Sequence, residues 1–169
     1  LQKSEHIDFF GLHFHIGSQI SRVNEVFALE CKRVNEIVRY FEEKGVTVKN
    51  INLGGGLGVD YDDPDGTPIA DFKTWFETIA NNINRRPDQT VHVEPGRSLV
   101  AQCGTLISRV LFVKSGETKN FLIMDAGMND LIRPALYGAY HKIENLSAQM
   151  RTFFPTHQAY DIVGPVCES

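Results

Sequence analysis

Residues 48–58, VKNINLGGGLG, place four glycines within five positions at the end of a short apolar strand pattern. Two further segments have the same design, FFGLHFHIGSQ at residues 9–19 and TVHVEPGRS at residues 90–98. The polar ends of the three segments are 39 and 40 positions apart. That spacing accommodates a strand, a helix and their loops, as in parallel α/β folds. The sequence therefore predicts that the three polar strand ends lie together at one edge of a sheet or barrel.

Amphipathic patterns fill the intervals between these segments. Apolar residues recur at helical spacing over residues 21–44 and over residues 69–86. Gly45 follows the first stretch directly, where glycine commonly ends a helix. We therefore expect two helices that alternate with three strands.

The pattern changes near residues 98–104, where we place a boundary between an α/β part and a β-rich part. A turn at residues 115–118 predicts a hairpin and the start of an antiparallel region. The elements expected after the boundary are strands at residues 105–114, 120–125 and 159–166 and a helical turn within residues 131–140.

Bulk composition excludes several classes of protein. The 169 residues are 42% hydrophobic, which suits one domain or slightly more. The net charge of −4 does not fit nucleic-acid binding, and no apolar run approaches a membrane span. The start of the chain does not resemble a signal peptide. Three cysteines without metal-type spacing indicate reduced thiols in a cytoplasmic protein and no metal site.

The glycine cluster at residues 54–58 is the first candidate binding element. Glycines let backbone N–H groups approach an anion such as phosphate. A P-loop is excluded because the Gly-Lys-Ser/Thr sequence is missing, and a dinucleotide-binding turn fits poorly because no helix follows directly. The alternative is a plain turn between a strand and a loop.

Glu94 and Arg97 form the second candidate element, in the sequence EPGR. A carboxylate at a strand end can pair with a protonated ring nitrogen or act as a base, and an arginine can bind a phosphate or carboxylate through two hydrogen bonds. The alternative is an ion pair between these two residues. Together with the glycines, they suit a phosphorylated, nitrogen-containing aromatic ligand.

Two further residues have two interpretations each, and a third has one. His15, followed closely by Ser18, can stack on an aromatic ligand or can be a core histidine. Cys167 can be an acid in proton transfer or a small buried hydrophobic residue. Arg133 would by itself be a surface arginine.

Five stretches in fixed order resemble the diaminopimelate decarboxylase family: GLHFHIGSQ, INLGGGLG, VEPGRSLVAQCG, MDAGMNDLIRPALYGAYH and VGPVCES. They span the chain from Gly11 to Ser169. The resemblance implies a pyridoxal 5'-phosphate enzyme, a carboxy-lyase that converts meso-2,6-diaminopimelate to L-lysine and CO2. Its fold type is that of alanine racemase and ornithine decarboxylase.

The resemblance also implies a role for each matching residue. His15 stacks on the cofactor ring and Glu94 pairs with the pyridine nitrogen, while Cys167 donates a proton after CO2 leaves. The cofactor-binding residues implied are His15, Ser18, Gly54, Gly55, Gly56, Glu94, Pro95, Gly96 and Arg97. The substrate-binding residues implied are Arg97, Arg133 and Tyr137 for the distal carboxylate and Glu168 for the distal ammonium group. The catalytic residues implied are Cys167 and His15.

The fold implied is α/β, with residues 1–100 as the last part of a (β/α)8 barrel and residues 101–169 as the beginning of a β-rich barrel or sandwich domain. The family's covalent cofactor-binding lysine lies on an early barrel strand, and no lysine of this chain has a matching context. We therefore expect a part of a longer protein, inactive by itself. In the family the cysteine segment enters the partner's active site, which implies a homodimer with shared sites.

Two alternatives to this function remain open. One is a related decarboxylase acting on ornithine, arginine or carboxynorspermidine. Arg133 opposes it, because an arginine would repel a distal amine but attract a distal carboxylate. The other is a non-catalytic module that binds a phosphorylated ligand, which would leave Cys167 and Arg133 without roles.

Overall fold

The computed structural model describes residues 4–147 and 158–166. The chain forms two compact units, Leu1–Asp60 with Pro64–Gly104 and Tyr61–Asp63 with Thr105–Ser169. The implied proton donor Cys167 and the implied substrate ligand Glu168 lie outside the described residues. Within the described ranges, no helix has both the length and the apolar character needed to cross a membrane.

The first unit alternates strands and helices, as predicted. Its parallel sheet has the order β1-β2-β3, with Leu12, Ile51 and Val91 side by side in register. The elements of this unit are β1 Gly11–His13, α1 Val23–Glu43, β2 Asn50–Asn52, α2 Phe72–Asn82, β3 Thr90–His92 and α3 Arg97–Val100. Each strand pairs over three residues, which is shorter than the apolar runs that predicted it.

The core of the first unit lies between helices α1 and α2 and the apolar side of the sheet. The rings of Phe27 and Trp75 join the two helices, with 5.6 Å between ring centroids. Asp71 caps α2 by accepting a hydrogen bond from the Thr74 N–H at 3.0 Å, and Gly45 with φ of 75° follows the end of α1. The buried apolar residues are Phe27, Cys31, Val34, Val38, Val48, Ile51, Leu53, Leu57, Val59, Ala70, Trp75 and Ile79.

The second unit contains a mixed sheet with the order β4-β5-β6. Its elements are β4 Val110–Ser115, β5 Asn120–Met124, α4 Arg133–Tyr137 and β6 Asp161–Val163. Strands β4 and β5 form the predicted antiparallel hairpin. Strand β6, which the sequence predicts only as a further strand, pairs with β5 in parallel. The long connection between β5 and β6 permits the crossover that parallel pairing requires.

Two helices of the structure differ from the sequence-based expectation. Helix α2 is shorter than predicted, because its cap fixes the start after Asp71 and the backbone becomes extended at Ile83. The short helix α3 was not predicted. It begins where Gly96 adopts a φ of 53° and the Ser98 hydroxyl donates to the Pro95 carbonyl oxygen at 2.8 Å.

Candidate functional site

The three polar segments of the first unit meet at the carboxyl ends of their strands. Phe14 N–H donates to the Asn52 carbonyl oxygen at 2.8 Å, which joins the end of β1 to β2. Glu94 N–H donates to the Gly54 carbonyl oxygen at 2.6 Å, which joins the end of β3 to the glycine cluster. The prediction that the strand ends lie together is therefore confirmed within this unit.

The glycine cluster allows these segments to approach closely. Gly54 and Gly56 have φ values of 66° and 101°, which side chains disfavour. A Cβ at Gly55 would overlap the carbonyl oxygen of Glu94, and one at Gly56 would overlap the carbonyl oxygen of Gly17. The cluster is thus more than a turn, because it is packed between the backbones of both neighbouring segments.

Some backbone donors at this edge remain unused. The Gly54 N–H donates to Asn52 Oδ1 at 2.8 Å, and the Gly55 N–H approaches His15 Nδ1 at 3.4 Å. By contrast, the N–H groups of Gly56, Gly96 and Arg97 make no hydrogen bond with any residue that the structure describes. Backbone donors without partners at a strand end can bind an anion.

The carboxylate of Glu94 is exposed and oriented by neighbours on the same side of the sheet. Asn52 Nδ2 donates to Glu94 Oε1 at 2.7 Å, and His13 Nε2 lies 3.5 Å from the same oxygen. Arg97 instead donates from Nη1 to Gln19 Oε1 at 3.3 Å. The alternative of an internal ion pair between Glu94 and Arg97 is therefore wrong.

Asn52 is a site residue that the sequence interpretation missed. Its Oδ1 accepts from the Gly54 N–H, which fixes the amide so that Nδ2 is the donor to Glu94. One side chain thereby orients both the carboxylate and the glycine turn. The available signal was the alternation of Asn50 and Asn52 with apolar residues in the central strand, which places both amides on one face.

His15 and Ser18 both face solvent in this structure. The alternative that His15 is a core histidine is therefore wrong, and its contact with the Gly55 N–H holds the ring beside the glycine cluster. The Ser18 side chain makes no hydrogen bond with a described residue, so its hydroxyl is free for a ligand. Gln19, also missed, has a φ of 59° and links Arg97 to the Val59 backbone.

Arg133 lies in the second unit, at the start of α4. Its Nη1 lies 3.1 Å from His141 Nε2, and its Cζ lies 4.7 Å above the ring centroid of Tyr61. Its Nε is buried and has no acceptor among the described residues. The implied partner Tyr137 is 71% exposed. Arg133 is thus a packed and half-buried arginine, so the interpretation as an ordinary surface residue is wrong.

The strand-end arrangement fits a phosphorylated ligand with a protonated aromatic nitrogen. An exposed carboxylate that is already oriented can accept a hydrogen bond from such a nitrogen. The unused N–H groups and the free Ser18 hydroxyl can donate to phosphate oxygens. His15 provides an exposed ring beside them.

Comparison with known proteins agrees with this chemistry. Residues 8–169 match the family model described as pyridoxal-dependent decarboxylase, C-terminal sheet domain. Diaminopimelate decarboxylase from Bacteroides thetaiotaomicron is 52% identical over 165 residues, which are 98% of this chain and 41% of that protein.

Solved structures give the same result. Diaminopimelate decarboxylase from Helicobacter pylori, complexed with L-lysine, has a TM-score of 0.77 at 37% identity and covers 99% of this chain and 39% of that one. The enzyme from M. jannaschii in complex with L-lysine has a TM-score of 0.76 at 32% identity, over 99% of this chain and 38% of that one. The chain thus spans about 40% of the length of these relatives.

Proposed function

The chain belongs to the family of pyridoxal-dependent decarboxylases, and we propose that the complete protein decarboxylates meso-2,6-diaminopimelate to L-lysine and CO2. The observation that carries the proposal is the oriented Glu94 carboxylate beside backbone N–H groups without partners. The relatives named above are called diaminopimelate decarboxylases, which supports the choice of substrate. This assignment concerns the complete protein rather than the chain alone.

Each residue at the strand ends has a proposed task toward pyridoxal phosphate. Glu94 accepts a hydrogen bond from the pyridine N–H and thereby keeps the proton on that nitrogen. Ser18 and the backbone N–H groups around Gly56 and Gly96 bind the phosphate, and His15 stacks on the ring. The chemistry that the cofactor supplies when bound is withdrawal of electrons from the carbon that loses CO2. The full proposed set is His15, Ser18, Gly54, Gly55, Gly56, Glu94, Pro95, Gly96 and Arg97.

The substrate carries a carboxylate and an ammonium group at its distal end. We assign the carboxylate to Arg97, Arg133 and Tyr137 and the ammonium group to Glu168. A packed guanidinium with a spare buried donor favours a carboxylate and disfavours the distal amine of ornithine. This feature supports diaminopimelate over the basic amino acids.

Loss of CO2 leaves a carbon that needs a proton. We assign the donor to Cys167 Sγ, since a thiol is largely protonated at neutral pH and releases its proton readily. We further propose a homodimer in which this cysteine serves the partner's site. Mixed dimers of a Cys167→Ala subunit and a subunit without the cofactor lysine would then regain activity, because one intact composite site forms.

Domain organisation and location complete the proposal. We assign residues 1–100 to the last part of a (β/α)8 barrel and residues 101–169 to the beginning of a β-rich domain. Three parallel strands with helices α1 and α2 on their apolar side suit the barrel assignment. The described cysteines, Cys31 and Cys103, are free thiols, which suits the cytoplasm.

The deciding experiment measures CO2 and lysine production from meso-diaminopimelate by the complete protein with added pyridoxal phosphate. Glu94→Gln keeps the size of the side chain but no longer holds the ring proton. We expect it to retain the cofactor, as judged from its visible absorbance, and to lower kcat by about a hundredfold.

The matched control is Glu117→Gln, which alters an exposed carboxylate in the hairpin turn and leaves kcat unchanged. Cofactor binding without decarboxylation of diaminopimelate in the wild type would reject the substrate assignment. Equal kcat for wild type and Glu94→Gln would reject the role of Glu94.

A further inference from the structure

Arg133 is enclosed by two aromatic side chains of its own unit. The guanidinium carbon lies 4.7 Å above the centroid of Tyr61, within the range of a cation–π interaction. The Tyr61 and His141 rings are themselves in edge contact, with 5.0 Å between centroids and an interplanar angle of 68°. Tyr61 comes from the loop after the glycine cluster and belongs to the second unit with Arg133 and His141.

The contact with His141 defines which edge of the guanidinium is used. Arg133 has only donors, so His141 Nε2 must be the acceptor of the 3.1 Å bond from Nη1. The bond to His141 uses Nη1. The other side of the guanidinium is the side-on edge formed by Nε and Nη2, and its Nε is buried without a described acceptor.

Through that side-on edge, an arginine can bind a carboxylate with two parallel hydrogen bonds. A long, flexible side chain loses much freedom when it binds, and packing beforehand reduces that loss. Tyr61 restrains the plane of the guanidinium, and His141 restrains its rotation in that plane. Neither residue needs to touch the ligand to have this effect.

We propose that Tyr61 and His141 are positioning residues that hold Arg133 with its Nε edge toward the distal carboxylate of the substrate. The inference rests on the proposed function for the identity of that carboxylate. It assigns to Tyr61 and His141 an effect on substrate affinity rather than on the bond-breaking step. Their loss should therefore raise KM and leave kcat nearly unchanged.

The test compares paired variants of the complete, cofactor-loaded protein. Tyr61→Leu and His141→Leu remove the ring face and the acceptor, and each should raise KM for meso-diaminopimelate about fivefold to tenfold, with kcat within about twofold of wild type. Tyr61→Phe keeps the ring face, and His141→Gln keeps an acceptor near the position of Nε2. Both conservative variants should have a KM within about twofold of the wild-type value.

A second measurement does not depend on turnover. Calorimetry with pimelate, a seven-carbon dicarboxylate without amines, reports carboxylate binding directly. We expect Arg133→Ala, Tyr61→Leu and His141→Leu to raise the Kd for pimelate, and Tyr61→Phe and His141→Gln to leave it near wild type. Tyr160→Leu is the matched control, since it removes an aromatic ring of the same unit whose hydroxyl donates to Gln158.

The outcomes separate this inference from the proposed function. A wild type that binds pimelate in the expected variant-dependent way but does not decarboxylate diaminopimelate would reject the proposed function and retain the positioning roles. An active wild type in which both leucine variants keep the wild-type KM and Kd would reject the positioning roles and retain the function. Variants that lower kcat with unchanged KM would also overturn the inference.

Discussion

The two sheets of this chain obtain their order in different ways. The parallel sheet of the first unit pairs over only three residues per strand, yet Ile51 in its centre is 1% exposed. The mixed sheet of the second unit has a longer hairpin, yet every residue of β4 is exposed. Strand length and burial therefore vary in opposite directions between the two sheets.

The comparison shows that hydrogen-bonded length does not determine which sheet is more constrained. In the first unit, helices cover the apolar face and the glycine cluster packs backbone against backbone beyond the strand ends. In the second unit, the backbone hydrogen bonds between neighbouring strands supply the order. Substitutions should therefore have larger effects in the first unit than in the second.

Gly55→Ala should have the largest effect of the changes considered. The added methyl group would overlap the Glu94 carbonyl oxygen, and backbone atoms cannot rotate away as a side chain can. We expect a loss of about 4 kcal/mol or more in the free energy of unfolding. Urea unfolding followed by Trp75 fluorescence measures it, since this residue is buried in the same unit.

The control for that change is Gly104→Ala. A Cβ at Gly104 meets no atom within 4 Å, and its φ is not in the left-handed region. This variant should match the wild type. If Gly55→Ala also unfolds at the wild-type urea concentration, the close approach at the strand ends does not constrain the fold.

Glu30→Gln tests the helix layer that covers the first sheet. Glu30 is 4% exposed, its carboxyl oxygens have no described partner, and burial raises its pKa to about 7. In the unfolded chain this carboxyl group releases its proton near pH 4.5. Between about pH 4.5 and pH 7 the folded state therefore holds one proton more than the unfolded state. The free energy of unfolding falls as the pH rises through this range. The glutamine variant lacks this dependence, so its stability relative to wild type should increase by about 2–3 kcal/mol between about pH 5 and pH 8.

Glu36→Gln on the same helix should change stability with pH in the opposite direction. The Arg33 side chain donates to Glu36 at 2.8 Å and lowers the pKa of this exposed carboxyl. Its contribution to stability is present above the ordinary pKa of glutamate and is lost on acidification, so the glutamine variant should lose stability relative to wild type only at the higher pH. A pH-independent difference between Glu30→Gln and wild type would show that Glu30 does not titrate in the folded protein.

Gly164→Ala is the counterpart of Gly55→Ala in the second unit. A Cβ there would overlap the Gly127 backbone, but the neighbouring residues are only partly buried and can shift. We expect a smaller loss, of about 1–3 kcal/mol, in unfolding measured by circular dichroism. A loss as large as that of Gly55→Ala would remove the distinction between the two units.

Lys119→Met should have the smallest effect. Lys119, which directly precedes the central strand β5, and Asp161 of the edge strand β6 form an ion pair at 2.7 Å, but both side chains are at least half exposed. Water screens such a pair, so the thermal midpoint should stay within the scatter of repeated measurements. A clear drop in the midpoint would mean that this ion pair orders the sheet.

Apolar periodicity was sufficient to predict the alternation of the first unit and the hairpin of the second. Periodicity could not predict α3, because a helix of four residues contains barely one turn and starts from the backbone conformation of Gly96. The direction of β6 was also unpredictable from its own residues. It depends on the path of the connection from β5, which a local sequence pattern does not encode.

The site residues divide along a similar line. Glu94, His15 and the glycines belong to local motifs, so a single sequence is enough to propose them as site residues. Asn52 and Tyr61 act through partners 42 and 72 positions away, Glu94 and Arg133 respectively, so their roles required the fold. Long-range side-chain contacts leave no periodic signal in a single sequence.

The close packing at Gly55 has a consequence for mutational scanning. In a library of all single substitutions, nearly every replacement at residues 54–56 would reduce the amount of folded protein, whether or not the selection required the cofactor. Intolerance there would measure clearance between backbones and would not identify a ligand. Positions such as Ser18 and Glu94, which have room for other side chains, would lose fitness only under selection for enzyme activity, and that conditional loss would mark the true ligand contacts.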